Sequence, residues 1–401
     1  MSRWPDTPTC HCEERVARRG NPVAYGIAVD LGTTSVSLAL AQLAPGAAPR
    51  VLASASARNA QASEFGRDIL SRLSAATGGA GSRLRDLAQN QVIELLACAA
   101  GRSGLELAEI TPALSRAVIA GNSAMAALLV GADVASLATA PFAPVRTLRC
   151  DAGPLARLLG PQRITVLEPL DAFVGGDVRA DLIATDLVAE DASGPRLLID
   201  LGTNAEVVLA RGPHLFVCSA PAGPAFEGGG SKLLGSEVLA DVAQLLRQGV
   251  IGRDGKLDER NTQVRRDQGG VAQVSGPRSG QALSQRFIRD LQLAKAATST
   301  ALAQTLDVAG LRAADIVSID IAGAFGSALV PADLATLGLI PAVWQDRTHS
   351  RGNASLAGAL AVLGGASPEL SRAVKLIAIA LPDDPAFNAA LIAATDFNWR
   401  H

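Results

Sequence analysis

Two short loops of the same composition carry the residues best suited to chemistry. The first is Asp30-Leu-Gly-Thr-Thr34 and the second is Asp200-Leu-Gly-Thr-Asn204, and each follows an apolar run typical of a buried strand. Glycine lets the backbone approach phosphate oxygens, threonine adds a hydroxyl donor, and aspartate holds Mg²⁺ through water. A single loop of this kind is also common as an ordinary hairpin turn. Because the loop occurs twice, we expect the two copies to grip one nucleotide across a cleft, with Mg²⁺ held at Asp30 and Asp200.

A third segment, Asp320-Ile-Ala-Gly-Ala-Phe-Gly326, is predicted to be a strand that ends in glycines. These glycines suit the close approach of adenosine to the backbone, although close packing of a helix on the strand is an alternative explanation. The three segments in this order resemble the signature of the superfamily that contains acetate and sugar kinases, heat-shock chaperone ATPases and actin. The resemblance implies an α/β, actin-like ATPase whose two ribonuclease-H-like lobes come from a duplicated domain and enclose a nucleotide cleft.

The segments around these loops predict the elements that position them. Buried strands are predicted within residues 25–40, 114–120, 196–210 and 315–321, and helices within 84–100, 122–130, 180–189, 237–248 and 284–306. Residues 252–280 are polar and glycine-rich, which indicates a surface excursion with a short hairpin. Strands that alternate with helices indicate a layered α/β fold. We expect a disordered tail at 1–22, a first lobe at 23–192, a second lobe at 193–365 and a C-terminal segment at 366–401 that packs back on the lobes.

The composition argues against several classes of protein. Of the 401 residues, 48% are hydrophobic and 18% are charged, so the chain can bury a large core. A formal net charge of −2 and an aromatic content of 3% argue against a nucleic-acid partner, which requires a basic field and stacking platforms. The sequence has no apolar run of about 20 residues, and its first 20 residues lack the apolar region of a signal peptide. We therefore expect a cytoplasmic protein without membrane contact.

Five cysteines are scattered along the chain, at Cys10, Cys12, Cys98, Cys150 and Cys218. The first two flank a histidine, but one intervening residue is shorter than the usual zinc-ligand spacing and no second pair follows nearby. A disordered tail with incidental thiols is therefore favoured over a metal site. The other three are predicted to be small buried apolar residues.

Eight motifs, in order along the chain, permit a narrower assignment. They are Ala120-Gly-Asn-Ser-Ala-Met125, Ala140-Pro-Phe-Ala-Pro144, Phe173-Val-Gly-Gly-Asp177, Asp200-Leu-Gly-Thr-Asn-Ala-Glu206, Ala222-Gly-Pro-Ala-Phe-Glu-Gly228, Leu291-Gln-Leu-Ala-Lys-Ala296, Ala322-Gly-Ala-Phe-Gly326 and Gly338-Leu-Ile-Pro341. Together they resemble the ATPase domain of the reductive activators of corrinoid proteins, from about Tyr25 to the C-terminus. The resemblance implies that ATP binding and hydrolysis drive the reduction of cob(II)alamin to cob(I)alamin on a partner corrinoid protein or methyltransferase.

The same resemblance implies roles for individual residues. It places the phosphates at Gly32, Thr33, Thr34, Gly202, Thr203 and Asn204. It places adenosine near Gly223, Lys295, Gly323 and Gly326, and the metal or the attacking water near Asp30, Asp177 and Asp200.

Several of these roles have plainer alternatives. Lys295 is one of four lysines in the chain, and a solvated helix face would also explain it. Asp177 is predicted to act as the base or as a partner of Mg²⁺, although an aspartate at the start of a helix is often only an N-cap. Glu168 and Glu206 are reserves for the same role. Glu227, beside a glycine-rich turn, either contacts phosphate or ribose or belongs to a flexible loop.

The sequence departs from the family pattern in two places. Members of the family carry an N-terminal two-iron ferredoxin-like domain and a linking domain, whereas here only residues 1–29 precede the first loop and the plant-type cysteine spacing is absent. The second loop has Ala205 where a glycine is expected. We therefore expect no iron–sulfur cluster and a separate low-potential electron donor; a homodimer is left open.

Two other functions are compatible with the same fold. One is a small-molecule kinase, for which the sequence identifies no acceptor site. The other is a nucleotide-switched module that binds a corrinoid protein and changes its cobalt coordination without transferring electrons.

Overall fold

The computed structural model describes residues 24–188, 194–227, 235–323, 329–371, 373–381 and 385–399. The predicted tail, Cys10, Cys12 and Gly326 lie outside these ranges, as does the side chain of Glu227.

The first sheet holds the first acidic loop at the turn of a hairpin. Its strands are β1 (Ala24–Leu31), β2 (Ser35–Leu43), β3 (Arg50–Arg58), β4 (Leu114–Gly121) and β5 (Ile164–Val166). Their order is β3-β2-β1-β4-β5; β1 to β3 are antiparallel to one another, whereas β4 and β5 run parallel to β1. β1 and β4 are nearly continuous apolar runs, as expected for central strands that are buried on both faces.

The second acidic loop occupies the same place in a second sheet. The remaining strands are β6 (Arg196–Leu201), β7 (Asn204–Arg211), β8 (His214–Pro221), β9 (Arg265–Arg266), β10 (Ala272–Ser275), β11 (Ala282–Ser284), β12 (Ser318–Ala322), β13 (Thr348–Gly352) and β14 (Lys375–Ile379). The second sheet has the order β14-β8-β7-β6-β12-β13. Apart from the added edge strand β14, its order and strand directions repeat those of the first sheet, which confirms the duplicated domain. Where a short hairpin was predicted, β9 to β11 form a small three-stranded sheet.

Helices cover the sheets. They are α1 (Ala62–Phe65), α2 (Ile69–Ala75), α3 (Gly81–Arg102), α4 (Leu107–Ile110), α5 (Ser123–Val130), α6 (Ala135–Ala138), α7 (Pro154–Leu159), α8 (Gly176–Thr185), α9 (Gly235–Arg247), α10 (Gln285–Ala309), α11 (Pro331–Leu337), α12 (Ala354–Leu363) and α13 (Pro385–Ala393). Four of them, α3, α5, α9 and α10, lie within three residues of the predicted helices, and α8 begins four residues before the helix predicted at 180–189. Among the described residues, no helix combines the length and apolarity that a membrane crossing requires.

Two of these helices, α8 and α12, pack between the lobes. α8, which follows the first sheet in the chain, packs Val178 and Leu182 against the core of the second sheet and Ala180 against the core formed with the first. α12, which follows the second sheet, packs Ala359 and Val362 into the core formed with the first. The packing therefore does not follow the predicted division at residue 193, which assigns α12 to the second lobe. The sequence alone does not show which sheet each helix packs against, because both helices have the apolar composition of a core helix.

α8 and α12 touch each other through their backbones. A Cβ atom at Gly358 of α12 would lie 1.9 Å from the carbonyl oxygen of Ala180 in α8. Glycine is therefore required at this crossing, which ties the two lobes together beneath the cleft.

The C-terminal segment lies on the second lobe. β14 pairs with β8 in parallel and extends the second sheet, and α13 contacts α10.

Candidate active site

The two acidic loops face each other across an open cleft of about 610 Å³ between the lobes. Their hydroxyls meet directly, because Thr34 Oγ1 lies 2.8 Å from Thr203 Oγ1. Of the predicted site residues, the structure brings the following to the walls of the cleft: Asp30, Gly32, Thr33, Thr34, Asp177, Asp200, Gly202, Thr203, Asn204 and Gly323. Glu206, predicted as a reserve, also lines it.

Backbone hydrogen bonds hold each loop in shape. In the first, Gly32 N donates to Ser35 O at 3.0 Å, and a Cβ atom at this glycine would lie 2.8 Å from the same oxygen. The side chain of Asn59 supports this turn by donating to Gly32 O at 2.8 Å. In the second loop, Gly202 N donates to the carbonyl oxygen of residue 204 at 2.9 Å. The tight turn explains the glycine in the first loop.

The second loop is supported from behind. Gly223 N donates to Thr203 O at 2.7 Å, so this residue, which is predicted to lie near adenosine, supports the second loop. Ala205, which departs from the family pattern, is buried in β7 and pairs with Leu201 in regular strand register. A glycine is therefore not required at that position.

Two asparagines that were not predicted as site residues also line the cleft. Asn122 donates to Thr33 Oγ1 at 2.8 Å and caps the start of α5 by accepting from Met125 N. Asn353 donates to Asp30 Oδ2 at 2.7 Å and caps the start of α12. Ser355 donates to the other oxygen of Asp30 at 3.2 Å. Each asparagine stands directly before an apolar helical run, which is a readable N-cap signal.

Three helix N-termini therefore converge on the cleft, since Asp177 stands in the first turn of α8. Each N-terminus carries a partial positive charge and unsatisfied N–H groups, which together favour an anion. No lysine, arginine or histidine side chain is among the described residues that line the cleft. An anion held by these described residues would therefore be attracted by backbone N–H groups and by a cation bound with it.

The acidic side chains indicate where such a cation would lie. Asp30 stands at the end of β1 and Asp200 at the end of β6, on opposite sides of the cleft. Within the described part of the chain, no three or more His, Cys, Asp or Glu side chains come close enough together to hold a metal ion directly. This donor set fits a hydrated Mg²⁺ that accompanies a phosphate and contacts the aspartates through water.

Two buried carboxyl groups in the cleft have raised pKa values. Burial, with a smaller contribution from Asp30, raises the pKa of Asp177 to about 7. Burial raises the pKa of Glu206 well above its usual range, and Asp177 and Asp200 raise it further. A carboxyl group that titrates near neutrality suits acid–base work at physiological pH.

Asp177 is placed by glycines rather than by capping. The N-cap of α8 is Gly175, and Asp177 Oδ1 accepts from Val178 N at 2.9 Å, so the N-cap alternative does not describe this residue. A Cβ atom at Gly175 would lie 2.4 Å from the Cα atom of Asn122. The glycine therefore lets the start of α8 approach the end of β4 and brings the carboxylate into the cleft.

Comparisons with known proteins agree with this architecture. Residues 25–190 match the RACo middle region, and residues 194–233 and 231–398 match the C-terminal domain of RACo, described as the ASKHA domain. The chain belongs to the RACo family. RACo-type relatives include RamQ of Eubacterium limosum, a corrinoid activation enzyme that is 27% identical over 93% of this chain and 70% of its own length.

Two further similar proteins have names that refer to corrinoid proteins. The Co(II) methylated amine-specific corrinoid protein reductase of Methanosarcina barkeri is 28% identical over 36% of this chain and 28% of its own. The solved structure of a reductive activator for corrinoid, iron–sulfur protein superposes with a TM-score of 0.82 and 25% identity. That match covers 94% of this chain and 66% of the activator, so this RACo-family chain spans just under two thirds of the solved protein.

The structure leaves one residue that was predicted as a reserve base, Glu168, away from the cleft. Glu168 is exposed and contributes only its backbone carbonyl, which accepts from Arg179 Nε at 2.7 Å. Its assignment as a reserve base was wrong, because its side chain points to solvent. Gly326 and the side chain of Glu227, which were also predicted as site residues, lie outside the part of the chain that the structure describes.

Lys295 is bound elsewhere. It is buried, and its ammonium donates to the carbonyl oxygens of Ala394, Asp396 and Asn398 at 2.9, 2.9 and 2.6 Å. The predicted contact with adenosine and the alternative of a solvated helix face both disagree with this arrangement. Lys295 therefore has a specific role, but the group that it binds is the C-terminal segment of the RACo ASKHA region.

Replacing Lys295 by methionine is expected to lower the free energy of unfolding by about 3 kcal/mol, because three carbonyls lose a charged donor. ATP affinity of the folded protein should change little, since the ammonium is bound to the C-terminal segment. Chemical denaturation and titration calorimetry would measure the two quantities. Lys375→Met, at an exposed lysine of β14, is the matched control and should leave both unchanged. A large loss of ATP affinity without loss of stability would restore the predicted adenosine role.

Proposed function

We propose that the chain is the ATP-hydrolysing part of a reductive activator, which drives the conversion of cob(II)alamin to cob(I)alamin on a partner corrinoid protein or methyltransferase. The observation that carries the ATP part is the convergence of two acidic, hydroxyl-bearing loops and three helix N-termini on one cleft. Membership of the RACo family and the names of the similar proteins support the corrinoid part.

The phosphates bind between the two loops. The backbone N–H groups around Gly32 and Gly202 and the hydroxyls of Thr33, Thr34 and Thr203 would supply donors, and Asn204 would contribute from the second loop. Opening the hydrogen bond between the two threonine hydroxyls would release the O–H that is donated in it, and both hydroxyls could then donate to the same phosphate. Contact with both lobes would make the bound nucleotide a bridge between them.

Asp30 and Asp200 would hold Mg²⁺ through water molecules. The ion would offset the negative charge of the acidic walls and supply electrostatic stabilisation to the phosphoryl group. The hydrogen bonds that Asp30 accepts from Asn353 and Ser355 fix its carboxylate beside the start of α12. Through these hydrogen bonds, Asp30 would connect the bound metal to α12.

Asp177 orients the attacking water and accepts its proton. The carboxylate lines the cleft between the two loops, and its pKa of about 7 permits proton exchange at neutral pH. Adenosine lies toward Gly323, whose φ of 139° is accessible mainly to glycine. Gly223, Gly326 and Glu227 stay predicted contacts of the adenosine or the ribose.

Electrons come from a separate low-potential donor. The five cysteines lack the ferredoxin spacing, and the described thiols Cys98, Cys150 and Cys218 are free and far apart in the sequence. ATP acts on the complex with the corrinoid protein. Because a ligand shifts an equilibrium only through its different affinities for two states, lobe closure must favour one cobalt state or geometry over the other.

Mg²⁺–ATP is expected to stabilise the folded protein, because a nucleotide held by both lobes binds only the folded form. At about 100 times its dissociation constant the gain in unfolding free energy should be about 2.7 kcal/mol. Thermal unfolding with ATP, with ADP and without nucleotide, each with and without Mg²⁺, would measure it. An absence of nucleotide binding at millimolar concentration in titration calorimetry would contradict the proposal.

A further inference from the structure

A buried acid beneath the cleft has no role in nucleotide binding as described above. Asp181 lies on α8 one turn beyond Asp177 and is 0% exposed. Neither of its carboxyl oxygens has a hydrogen-bond partner in the described part of the chain. A buried polar group without a partner destabilises a protein by about 1–3 kcal/mol, so its presence here calls for a function.

Four acidic side chains of the cleft act on Asp181. The charges that act on it belong to Asp200 of β6, Asp177 of its own helix, Asp30 of β1 and Glu206 of β7. Burial is the largest cause that raises the pKa of Asp181 well above its usual range, and these four carboxyl groups raise it further. An ionised group at this position would combine the cost of burial with repulsion from its neighbours. Burial and these neighbours therefore favour the neutral form of Asp181.

A neutral carboxyl group is a hydrogen-bond donor, and its neighbours here are acceptors. Residues four apart on a helix lie on one face, so Asp181 and Asp177 stand one above the other. Asp177 Oδ1 accepts from the N–H of the following residue, which leaves Oδ2 available to a donor from below. This arrangement resembles a pair of carboxyl groups whose environments differ so that one stays protonated while the other ionises.

We propose that Asp181 is a positioning residue for ATP hydrolysis, which donates a hydrogen bond to the carboxylate of Asp177, directly or through one water, and fixes the oxygen that faces the attacking water. The inference rests on the proposed function. Asp181 keeps its proton throughout, while the proton of the attacking water passes to Asp177. An apolar residue at 181 would fill the space but would leave the Asp177 carboxylate free to rotate.

Two substitutions at Asp181 separate positioning from packing. Asp181→Leu is expected to lower kcat for ATP hydrolysis by about 10- to 100-fold, the scale of a catalytic group misplaced by about 1 Å. KM for ATP should stay near its original value, and the unfolding temperature should be unchanged or higher. Asp181→Asn keeps the shape and the donor capacity and should retain most of the activity. Thr185→Val, one turn further along α8, is the matched control and should leave kcat unchanged.

Each outcome decides the inference. Equal kcat values for Asp181→Leu and the unchanged protein would overturn it, since Asp181 would then serve packing alone. An equal loss in Asp181→Asn and Asp181→Leu would also overturn it, because an anion and not a donor would be required. Infrared difference spectra of the unchanged protein against Asp181→Asn should show the stretch of a protonated carboxyl group, and its absence would contradict a neutral acid. A chain that does not hydrolyse ATP at all would instead refute the proposed function.

Discussion

Replacing Asp177 by asparagine is expected to lower kcat for ATP hydrolysis by about 10²- to 10⁴-fold, the usual contribution of a general base. Asparagine keeps the shape of the side chain but cannot take a proton from water. Because the carboxyl group is buried and its pKa is raised, its neutral replacement should fold at least as stably. ATP affinity, measured by calorimetry, should fall much less than kcat, measured by phosphate release.

Two variants serve as controls for Asp177→Asn. Glu168→Gln removes a carboxylate that is exposed and outside the cleft, so hydrolysis should be unchanged. Glu206→Gln alters the other buried acid that lines the cleft. If the loss of hydrolysis appears in Glu206→Gln and is absent from Asp177→Asn, the base is Glu206 and the role given to Asp177 is wrong.

The second large effect concerns the corrinoid partner. With a low-potential donor present, the chain is expected to convert a cognate cob(II)alamin protein to cob(I)alamin when ATP is added, and to a much smaller extent without it. ATP and the chain alone, without a donor, should produce no cob(I)alamin, because neither supplies an electron. The visible spectrum of the corrinoid follows each oxidation state directly.

Three outcomes of this experiment discriminate between functions. Equal rate and extent of reduction with and without ATP would refute the activator proposal and favour a small-molecule kinase. A change in the spectrum of cob(II)alamin on adding ATP without a donor, but no reduction when the donor is present, would indicate a nucleotide-switched binding module. Asp177→Asn, which should bind ATP without hydrolysing it, would show whether binding alone is sufficient.

The duplicated fold could be predicted because its signal is local. Each acidic loop follows a buried strand and starts the next, so the two hairpins were readable from residues 25–40 and 196–210. Which sheet α8 and α12 pack against was not readable, because the apolar faces of both helices would fit either sheet.

The site residues could be predicted from the sequence where the local turn that carries them also places them in the cleft. The threonines and aspartates of the two loops reach the cleft because the turn that carries them places them there. Asn353 escaped prediction because its partner, Asp30, lies more than 300 residues earlier in the chain. Lys295 was misassigned for a related reason, since a lysine that binds backbone carbonyls leaves no trace in the sequence of its partner segment.

The contact between Gly358 and Ala180 would act as a pivot between the two lobes. Where two helices touch through their backbones, neither can slide far past the other, but each can rotate about the point of contact. The contact lies directly beneath the acidic loops, because Asn353 and Ser355, about one turn before Gly358, bind the carboxylate of Asp30. A rotation of the helices about the contact would therefore move the loops with them. Nucleotide binding would close the two lobes, and the outer surface of each lobe would move with it.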